Sequence, residues 1–276
     1  MEVLAPAKVN LGLSVLAKRP DSYHQIHTIF AALDIADRVF LEPAPRGIRL
    51  EVSGRALPPG PENLAYRAAQ KYLKAAGMPG GVRLVLQKNL PVGAGLGGGS
   101  SDAAAVLKGL REIYPSGINL ASLAVKLGAD VPFFLQGGWA EAEGIGEQLS
   151  EIKGSRLSLV LAGPGLPVST AAVYGALLPS EPAGPLPVPE ILAALAQEQE
   201  PPYWNSLEAA AFRLYPQLAE LKSELKKTGL RGVLMSGSGS CFFGIAGEEE
   251  ARSIAQGLRK RYPSFWVQTA HTVVLQ

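Results

Sequence analysis

Alternating apolar and polar positions predict β-strands along the first half of the chain. In residues 8–16, Val9 and Leu11 fall on one face, while Lys8 and Asn10 fall on the other. The same extended character marks residues 27–41, 83–87 and 139–143. On this pattern alone, the face that carries Lys8 and Asn10 is more often a solvated strand surface than a functional site.

Apolar residues spaced three and four positions apart predict helices between these strands. The spacing recurs over residues 102–114, so a helix is predicted there. Ser100 or Ser101 is suited to cap its N-terminus, and Asp102 suits its first turn. The same spacing predicts helices at 63–76, 120–127 and 248–261.

The second half of the chain has its own strand and helix signals. A polar stretch at 150–155 precedes a buried-strand pattern at 157–161, which suits a boundary between domains. The prolines of residues 179–202 predict a long surface connection. Asn205 with Glu208 resembles a capping box at the start of a helix. The later signals are a helix ended by Gly229, short strands at 233–235 and 241–243, and a last strand near 265–275.

This order of strands and helices suits a split βαβ sandwich. We therefore expect an α+β protein with two domains, residues 1–152 and residues 153–276. The chain has 276 residues and is 47% hydrophobic, so it is large enough to bury a substantial core.

Charge and cysteine usage narrow the class of protein. The chain has 26 Lys and Arg against 24 Asp and Glu, which argues against a nucleic acid or an acidic membrane surface as the main partner. Cys241 is the only cysteine, so an internal disulfide is excluded and a cytoplasmic location is expected. No apolar run suits a transmembrane segment or a signal peptide.

Residues 91–101, which we call the glycine loop, are the most informative segment of the chain. They read Pro-Val-Gly-Ala-Gly-Leu-Gly-Gly-Gly-Ser-Ser and lie between a predicted strand and a predicted helix. Glycines allow positive φ angles that direct several N–H groups toward one point. The N-terminus of the following helix adds further unpaired N–H groups and a positive dipole end. The segment therefore predicts a phosphate-binding site.

Other glycine-rich motifs fit the segment less well. A Walker A loop needs a lysine between its last glycine and its serine, and none is present here. A dinucleotide-binding fingerprint matches Gly93, Gly95 and Gly98, but it expects an acidic residue at the end of a second strand, and Glu112 falls late in a helix. A flexible linker is disfavoured because structured elements flank the loop closely.

Aromatic residues after the first strand suit recognition of a nucleobase. Tyr23 and His24 follow Ser22 in a turn, and Phe30 lies beyond them. Such residues stack on a base and bond to its edge, although an ordinary turn with a partly buried histidine is the commoner explanation.

Two further segments carry candidate chemistry. Asp130 is a lone carboxylate in the apolar run 127–134, where it suits a helix N-cap with Pro132 in the first turn about as well as a catalytic role. Residues 236–240, which we call the serine–glycine turn, lie between apolar strands and by themselves suit a tight hairpin.

Taken in this order, these segments resemble the GHMP kinase superfamily. PVGAGLGGGSSDAA at 91–104 is similar to its phosphate-binding motif, PAKVNLGL at 6–13 to its first motif, and residues 235–244 to its C-terminal glycine motif. The resemblance extends over essentially the whole chain. The sequence departs from it at Ser22, where the family's GYH turn has glycine.

The resemblance implies a fold and an activity. The fold is the two-domain GHMP kinase fold, with an N-terminal mixed α/β domain (ribosomal S5 domain 2-like) and a C-terminal split βαβ, ferredoxin-like domain. The activity is transfer of the γ-phosphoryl group of ATP, with Mg²⁺, to a hydroxyl of a small molecule. The Ser-Tyr-His turn implies that this molecule carries a cytidine diphosphate group. We expect a monomer or a weak homodimer.

The resemblance also assigns residues to roles. Asp130 matches the catalytic aspartate and Lys8 the catalytic lysine, whose charge would keep the carboxylate ionised. ATP would bind to Pro91, Val92, Gly93, Ala94, Gly95, Leu96, Gly97, Gly98, Gly99, Ser100, Ser101, Asn63 and Lys88. Either Ser100 or Ser101 would lie near Mg²⁺. The substrate would bind to Asn10, Tyr23, His24, Phe30, Thr170, Tyr174, Gly237, Ser238 and Gly239.

Two alternatives remain open at this point. One is another GHMP small-molecule kinase, such as a homoserine, mevalonate or galactose kinase, although those substrates have no pyrimidine for Tyr23 to stack on. The other is a non-catalytic nucleotide sensor on the same fold, against which the presence of both Lys8 and Asp130 argues.

Overall fold

The structure is a computed structural model that describes residues 1–178 and 184–275. Its strands are β1 (Glu2–Lys18), β2 (His24–Ala44), β3 (Ile48–Ser53), β4 (Gly81–Gln87), β5 (Trp139–Glu143), β6 (Gln148–Glu151), β7 (Ser158–Gly163), β8 (Arg231–Met235), β9 (Phe242–Ile245) and β10 (Trp266–His271). Its helices are α1 (Leu64–Ala76), α2 (Gly98–Ile113), α3 (Leu120–Val125), α4 (Val131–Gln136), α5 (Thr170–Gly175), α6 (Val188–Ala196), α7 (Leu207–Leu214), α8 (Pro216–Lys226) and α9 (Glu248–Arg261).

The chain forms two compact units, each assembled from separate stretches of sequence. The first unit consists of Met1–Ala7, Ile35–Val92 and Gly97–Gly137. The second unit consists of Lys8–Asp34, Gly93–Leu96 and Gly138–Gln276. β1 and β2 contribute residues to both units because each strand is long. The compact units are defined by contacts and combine separate stretches of sequence, so they do not test a single boundary along the chain. The domain boundary expected between residues 152 and 153 stays a prediction.

In the first unit, helices pack on a sheet that contains β3, β4 and the second half of β2. β4 pairs in parallel with β3, from Ile48 opposite Val82, and antiparallel with β2, from Arg38 opposite Gln87. α1 supplies the crossover that a parallel pair of strands requires. α2 approaches the sheet closely at Gly109, where an added Cβ would lie 2.6 Å from Leu41 Cδ1. This close approach fixes α2, and with it the helix end that follows the glycine loop.

The second unit contains a four-stranded antiparallel sheet in the order β10-β7-β9-β8. Together with its helices, this sheet has the βαββαβ order of the predicted split βαβ fold. A further part of the unit pairs β2 with β5, from Thr28 opposite Ala142, and β5 with β6. Apolar side chains from the helices and strands form its core, including Leu13, Val160, Val173, Leu207, Leu218, Val233, Phe242, Ala255 and Val267. The two-domain α+β fold class is confirmed.

The predicted start of α2 was wrong by four residues. Gly97 is its N-cap with φ 71°, and Gly98 is its first helical residue. Ser100 and Ser101 therefore lie inside the first turn instead of capping it, and Asp102 lies beyond that turn. The first residues of α2 are glycines and serines, which add nothing to the helical spacing of apolar residues, and glycine disfavours a helix. The apolar pattern therefore placed the start of the helix too late.

Two predictions in the second half of the chain were also wrong. α6 occupies part of the proline-rich connection expected at 179–202, because Ile191 and Leu195 bury an apolar face and a proline is tolerated in a first turn. Residues 179–183 of that connection lie outside the described residues. The predicted helix start at Asn205 is confirmed, since its side-chain oxygen accepts from the N–H of Leu207 (2.9 Å) at the start of α7. The Glu208 half of the capping box does not form, because Glu208 accepts from the backbone N–H of Met235 (3.0 Å) and pairs with Lys222. Within the part of the chain that the structure describes, no helix has the length and apolarity needed to cross a membrane.

Candidate active site

The first half of the glycine loop rests on the serine–glycine turn, both in the second unit. Gly93 and Gly95 have φ angles of 64° and 77°, which confirms the predicted positive-φ backbone. The hydroxyl of Ser236 donates to the carbonyl of Gly95 (2.9 Å), and the N–H of Cys241 donates to the carbonyl of Ala94 (3.2 Å). A Cβ added to Gly95 would lie 1.9 Å from Ser236 O. The two glycine motifs of the sequence therefore contact each other through their backbones, at a position where only glycine fits.

The second half of the loop opens α2 in the first unit. The helix begins with Gly98, Gly99 and Ser100, whose backbone N–H groups have no partner within the helix. The Ser101 hydroxyl is buried and has no hydrogen-bond partner among the described residues. Donors at a helix N-terminus suit a phosphate group, and an unpartnered buried hydroxyl suits a further polar ligand. The donor set of this loop therefore fits a nucleotide phosphate.

Asp130 lies beside this helix end in the first unit. It occupies the N-cap position of α4, with Pro132 in the first turn as expected. Its carboxylate nevertheless makes no capping hydrogen bond, so the predicted capping contact is wrong. A Cβ added to Gly128 would lie 3.8 Å from Ser100 Oγ, so the segment that leads to Asp130 contacts the first turn of α2. The start of α4, where Asp130 lies, therefore follows a segment that packs against the first turn of α2.

Lys8 and Asn10 belong to a buried polar chain in the second unit. The Lys8 ammonium donates to Asn10 Oδ1 (2.6 Å), and Asn10 Nδ2 donates to Thr28 Oγ1 (2.8 Å). Lys8 is 3% exposed and Asn10 is 1% exposed, so the interpretation of this strand face as solvated was wrong. The ammonium also lies 5.1 Å from the centre of the Phe30 ring, within the range of a cation–π contact. A lysine ammonium that is buried and held by defined contacts is characteristic of a functional residue.

Lys88 is held in a buried ionic cluster of the first unit. Its ammonium donates to carboxylate oxygens of Asp37 and Asp102, with 2.7 Å to Asp102 Oδ2. Asp37 Oδ1 also accepts from the N–H groups of Asn89 (2.6 Å) and Leu90 (2.9 Å), which lead into the glycine loop. The cluster therefore fixes the entry to the loop. The sequence analysis did not identify Asp37, and it placed Asp102 in the first turn of its helix without predicting its contact with Lys88.

Asn63 has a structural role of its own in the first unit. Its side-chain oxygen accepts from Ala65 N (2.9 Å), so it is the N-cap of α1, and its amide nitrogen donates to Pro58 O (3.1 Å). Contacts of Asn63 and Lys88 with the adenosine part of ATP stay predictions.

The buried cluster makes stability depend on pH. Burial, opposed by Lys88 and reinforced by the charge of Asp37, raises the pKa of Asp102 from its ordinary 3.8 to about 7. Because the pKa of Asp102 is raised by folding, the contribution of this group to the unfolding free energy is complete below about pH 4. That contribution is lost as the pH rises toward 7. We expect wild type to lose about 2–3 kcal/mol of unfolding free energy between pH 5 and pH 8 through this group.

An Asp102→Asn variant tests this dependence. Asparagine keeps an oxygen for Lys88 but does not titrate, so the loss between pH 5 and pH 8 is expected to shrink by that amount. Urea unfolding of both proteins at the two pH values gives the comparison. Equal pH dependence in the two proteins would show that Asp102 does not titrate in this range.

Two of the predicted base-binding residues contact each other in the second unit. The ring centres of His24 and Tyr174 are 5.1 Å apart, at an interplanar angle of 31°. Burial, and then the charge of Lys18, lowers the pKa of His24, which favours the neutral imidazole that bonds to a base edge. Tyr23 is 59% exposed, so its ring is accessible for stacking. Ser22 has a φ of 69°, which explains why glycine is expected at this position.

A second set of substrate candidates lies around the serine–glycine turn. The hydroxyls of Thr170 and Ser238 are 2.8 Å apart, and Gly237 and Gly239 both have positive φ angles. Asn205 holds this turn, since its amide donates to the carbonyls of Met235 (2.8 Å) and Gly237 (2.7 Å). Sequence reasoning noticed Asn205 only as a helix start. No local signal indicates a partner about 30 residues away.

A metal site is less clearly defined than the nucleotide site. Across residues 1–178 and 184–275, no group of three or more His, Cys, Asp or Glu residues is placed to hold a metal ion. A site completed by ATP phosphates needs fewer protein ligands. A contact of Ser100 or Ser101 with Mg²⁺ stays a prediction.

Comparison with known proteins gives matches along most of the chain. The family described as GHMP kinases N terminal domain matches residues 63–138, and the family described as GHMP kinases C terminal matches residues 188–264. The 4-diphosphocytidyl-2-C-methyl-D-erythritol kinase of Thermus thermophilus is 55% identical over 260 residues, which cover 94% of this chain and 93% of that protein. The kinase of the same name from Deinococcus radiodurans is 45% identical over 273 residues, covering 96% and 91%.

A solved structure gives the same result in three dimensions. The crystal structure of a 4-(cytidine 5'-diphospho)-2C-methyl-D-erythritol kinase aligns with a TM-score of 0.89 at 55% identity. The alignment covers 98% of this chain and 99% of that chain.

Proposed function

The chain belongs to the GHMP kinase family, and we propose that it transfers the γ-phosphoryl group of ATP to the 2-hydroxyl of 4-diphosphocytidyl-2-C-methyl-D-erythritol. It is an ATP-dependent small-molecule kinase of the non-mevalonate isoprenoid pathway. The observation that carries this function is similarity over nearly the whole chain, at 55% identity, to a kinase named for that substrate.

The glycine loop is the proposed site of the ATP phosphates. The positive-φ backbone at Gly93 and Gly95 and the first-turn N–H groups of α2 support this assignment. The unpartnered hydroxyl of Ser101 supports a further contact, either to a phosphate oxygen or to Mg²⁺. ATP supplies the phosphoryl group, and Mg²⁺, where bound, neutralises phosphate charge. We propose the adenosine contacts for Asn63 and Lys88 on the resemblance alone.

Asp130 and Lys8 are the proposed catalytic pair. The Asp130 carboxylate would accept or orient the proton of the attacking hydroxyl, the role that the resemblance to GHMP kinases assigns to it. The Lys8 ammonium would favour negative charge that develops on the attacking oxygen. Asn10 would orient the substrate from the same strand face, where it already bonds to Lys8.

The cytidine end of the substrate is proposed to bind beside β2 and α5. Tyr23 would stack on the cytosine ring, His24 would bond to its edge, and Tyr174 would close the other side. The contact between His24 and Tyr174 supports a shared pocket, which Phe30 would line. The remaining proposed substrate contacts are Thr170, Gly237, Ser238 and Gly239.

Replacing Tyr23 with alanine is expected to raise KM for the cytidine-bearing substrate. Stacking of one base on an aromatic ring is worth about 1–3 kcal/mol, so KM should rise about 5–150-fold while KM for ATP stays nearly constant. Tyr23→Phe is the matched control because it keeps the ring and should retain most of the affinity. Equal increases of both KM values would exclude Tyr23 from the base pocket.

A substrate panel tests the function and separates the two alternatives. Purified protein is incubated with ATP, Mg²⁺ and either 4-diphosphocytidyl-2-C-methyl-D-erythritol, homoserine, mevalonate or galactose, and ADP release is measured. We expect turnover only with the first compound, and inhibition by CDP that is competitive with it. Turnover of another compound would indicate a different GHMP kinase, and ATP binding without any turnover would indicate a sensor.

Oligomeric state and location are finer points of this proposal. We propose a monomer or weak homodimer whose partner is a small molecule carrying a cytidine diphosphate group, with neither a nucleic acid nor a membrane as a partner. A cytoplasmic location remains an expectation from the single cysteine, which is buried and free.

A further inference from the structure

Thr28 lies at the end of the buried polar chain that begins at Lys8. It is fully buried on β2, and its hydroxyl contacts two groups. Oγ1 donates to the carbonyl of Gly12 (2.7 Å) and accepts from Asn10 Nδ2 (2.8 Å). The four residues that these hydrogen bonds connect, Lys8, Asn10, Gly12 and Thr28, all belong to the second unit.

The chemistry of these contacts fixes the direction of every hydrogen bond. A carbonyl oxygen only accepts, so the single hydroxyl proton of Thr28 points to Gly12. The Thr28 oxygen is therefore left as an acceptor, and the Asn10 atom that faces it must be the amide nitrogen. The amide oxygen of Asn10 then faces the opposite way, where it lies 2.6 Å from the Lys8 ammonium, which only donates. The backbone N–H of Asn10 also donates to Ser236 Oγ (3.3 Å), which adds a further contact to this residue.

We propose that Thr28 is a positioning residue that fixes the Asn10 amide so that its oxygen faces Lys8. This inference rests on the proposed function, in which Lys8 and Asn10 act on the attacking hydroxyl. Without the hydroxyl of Thr28, the amide nitrogen of Asn10 loses its acceptor, and the Lys8 ammonium, which is the group to be positioned, is left to hold the orientation of the amide through its own bond. A half-turn of the amide would direct N–H groups at the ammonium, and the repulsion between donors would displace Lys8.

Two substitutions separate this role from simple packing. Thr28→Val keeps the branched shape but removes the hydroxyl, so it leaves Asn10 Nδ2 and the Gly12 carbonyl without their bond. Thr28→Ser keeps the hydroxyl but removes a buried methyl group. If Thr28 only fills space, the serine variant should be the more affected of the two. If Thr28 positions Asn10, the valine variant should be the more affected in catalysis.

The kinetic experiment compares these variants as full-length proteins, at a temperature where circular dichroism shows each to be folded. We expect Thr28→Val to lower kcat about 10–100-fold with KM for ATP within about threefold of wild type. Thr28→Ser should stay within about threefold in kcat. In a Lys8→Met background, Thr28→Val should lower kcat no further, because the two residues act through one contact. Wild-type kcat in Thr28→Val, or an equal loss in Thr28→Ser, would overturn the proposal.

A second measurement does not depend on turnover. Hydrogen exchange of the Asn10 side-chain amide, followed by NMR on asparagine-labelled protein, reports the bond to Thr28. Exchange should be slow in wild type and Thr28→Ser and at least tenfold faster in Thr28→Val. Unchanged exchange in Thr28→Val would overturn the positioning role even if the enzyme proved inactive on the proposed substrate. Altered exchange together with an inactive wild type would instead contradict only the proposed function.

Discussion

Replacing Asp130 with asparagine is expected to lower kcat about 10²–10⁴-fold while ATP binding stays within a few-fold of wild type. This loss corresponds to roughly 3–5 kcal/mol of barrier, the usual contribution of a positioned acid–base residue. Asparagine occupies the same volume but cannot accept the hydroxyl proton. The fold should survive, because asparagine keeps the size of the side chain and is itself favourable at the N-cap position that Asp130 occupies.

Steady-state kinetics and ATP titration measure the two halves of this prediction. Asp34→Asn provides a matched control, since Asp34 is an exposed carboxylate bonded to His271 and has no proposed catalytic role. Its kcat should remain close to that of wild type. If Asp130→Asn retained kcat within severalfold of wild type, Asp130 would have no place in the mechanism.

Replacing Gly95 with alanine is expected to cost about 3 kcal/mol or more of unfolding free energy, or to prevent folding. The new Cβ would lie 1.9 Å from the backbone oxygen of Ser236, and backbone does not move aside as a flexible side chain does. The positive φ of Gly95 adds strain of about 1–2 kcal/mol. Any folded variant should bind ATP poorly, because the loop would be displaced from the serine–glycine turn.

Gly165→Ala isolates the part of this cost that comes from the φ angle alone. Gly165 has a φ of 73°, close to the 77° of Gly95, but nothing lies within 4 Å of an added Cβ. It should lose only about 1–2 kcal/mol in the same urea titration. Similar losses in the two variants would mean that the glycine loop does not rest on the serine–glycine turn as described.

Much of the fold was predictable because its signals are local. The predicted helix at 248–261 and strand at 139–143 match α9 and β5 at both ends, since an apolar period and charged or polar flanks mark them. The positive φ angles of the glycine loop were predictable for the same reason: Gly93 and Gly95 allow a backbone that other residues disfavour.

The ionic cluster beneath the loop was not predictable, because its members are far apart in the sequence. Asp37, Lys88 and Asp102 meet only after β2, β4 and α2 have packed. Asp102 was assigned to the first turn of its helix, where an acidic residue is favourable, but the helix begins at Gly98 and Asp102 turns inward. The preference for acidic residues in a first helical turn therefore gave the wrong role to Asp102, whose burial depends on partners that are distant in the sequence.

The buried hydrogen-bonded contacts from Lys8 to Thr28 could be predicted only in part from the sequence. Alternation along β1 correctly placed Lys8 and Asn10 on one face, but it could not show that this face is covered. Thr28 carried no signal at all, since a threonine in a strand is ordinary. Its partners, Asn10 and Gly12, lie on the neighbouring strand, and only the register of that pairing brings them together.

Substrate-dependent turnover tests the central claim most directly. Purified protein is mixed with ATP and Mg²⁺, with or without 4-diphosphocytidyl-2-C-methyl-D-erythritol, and ADP release is followed while the product is examined by phosphorus NMR. The proposed function predicts ADP release that requires this substrate, matched by one new phosphomonoester signal per ADP. ADP release that does not depend on the substrate, or no new phosphomonoester despite bound ATP, would contradict it.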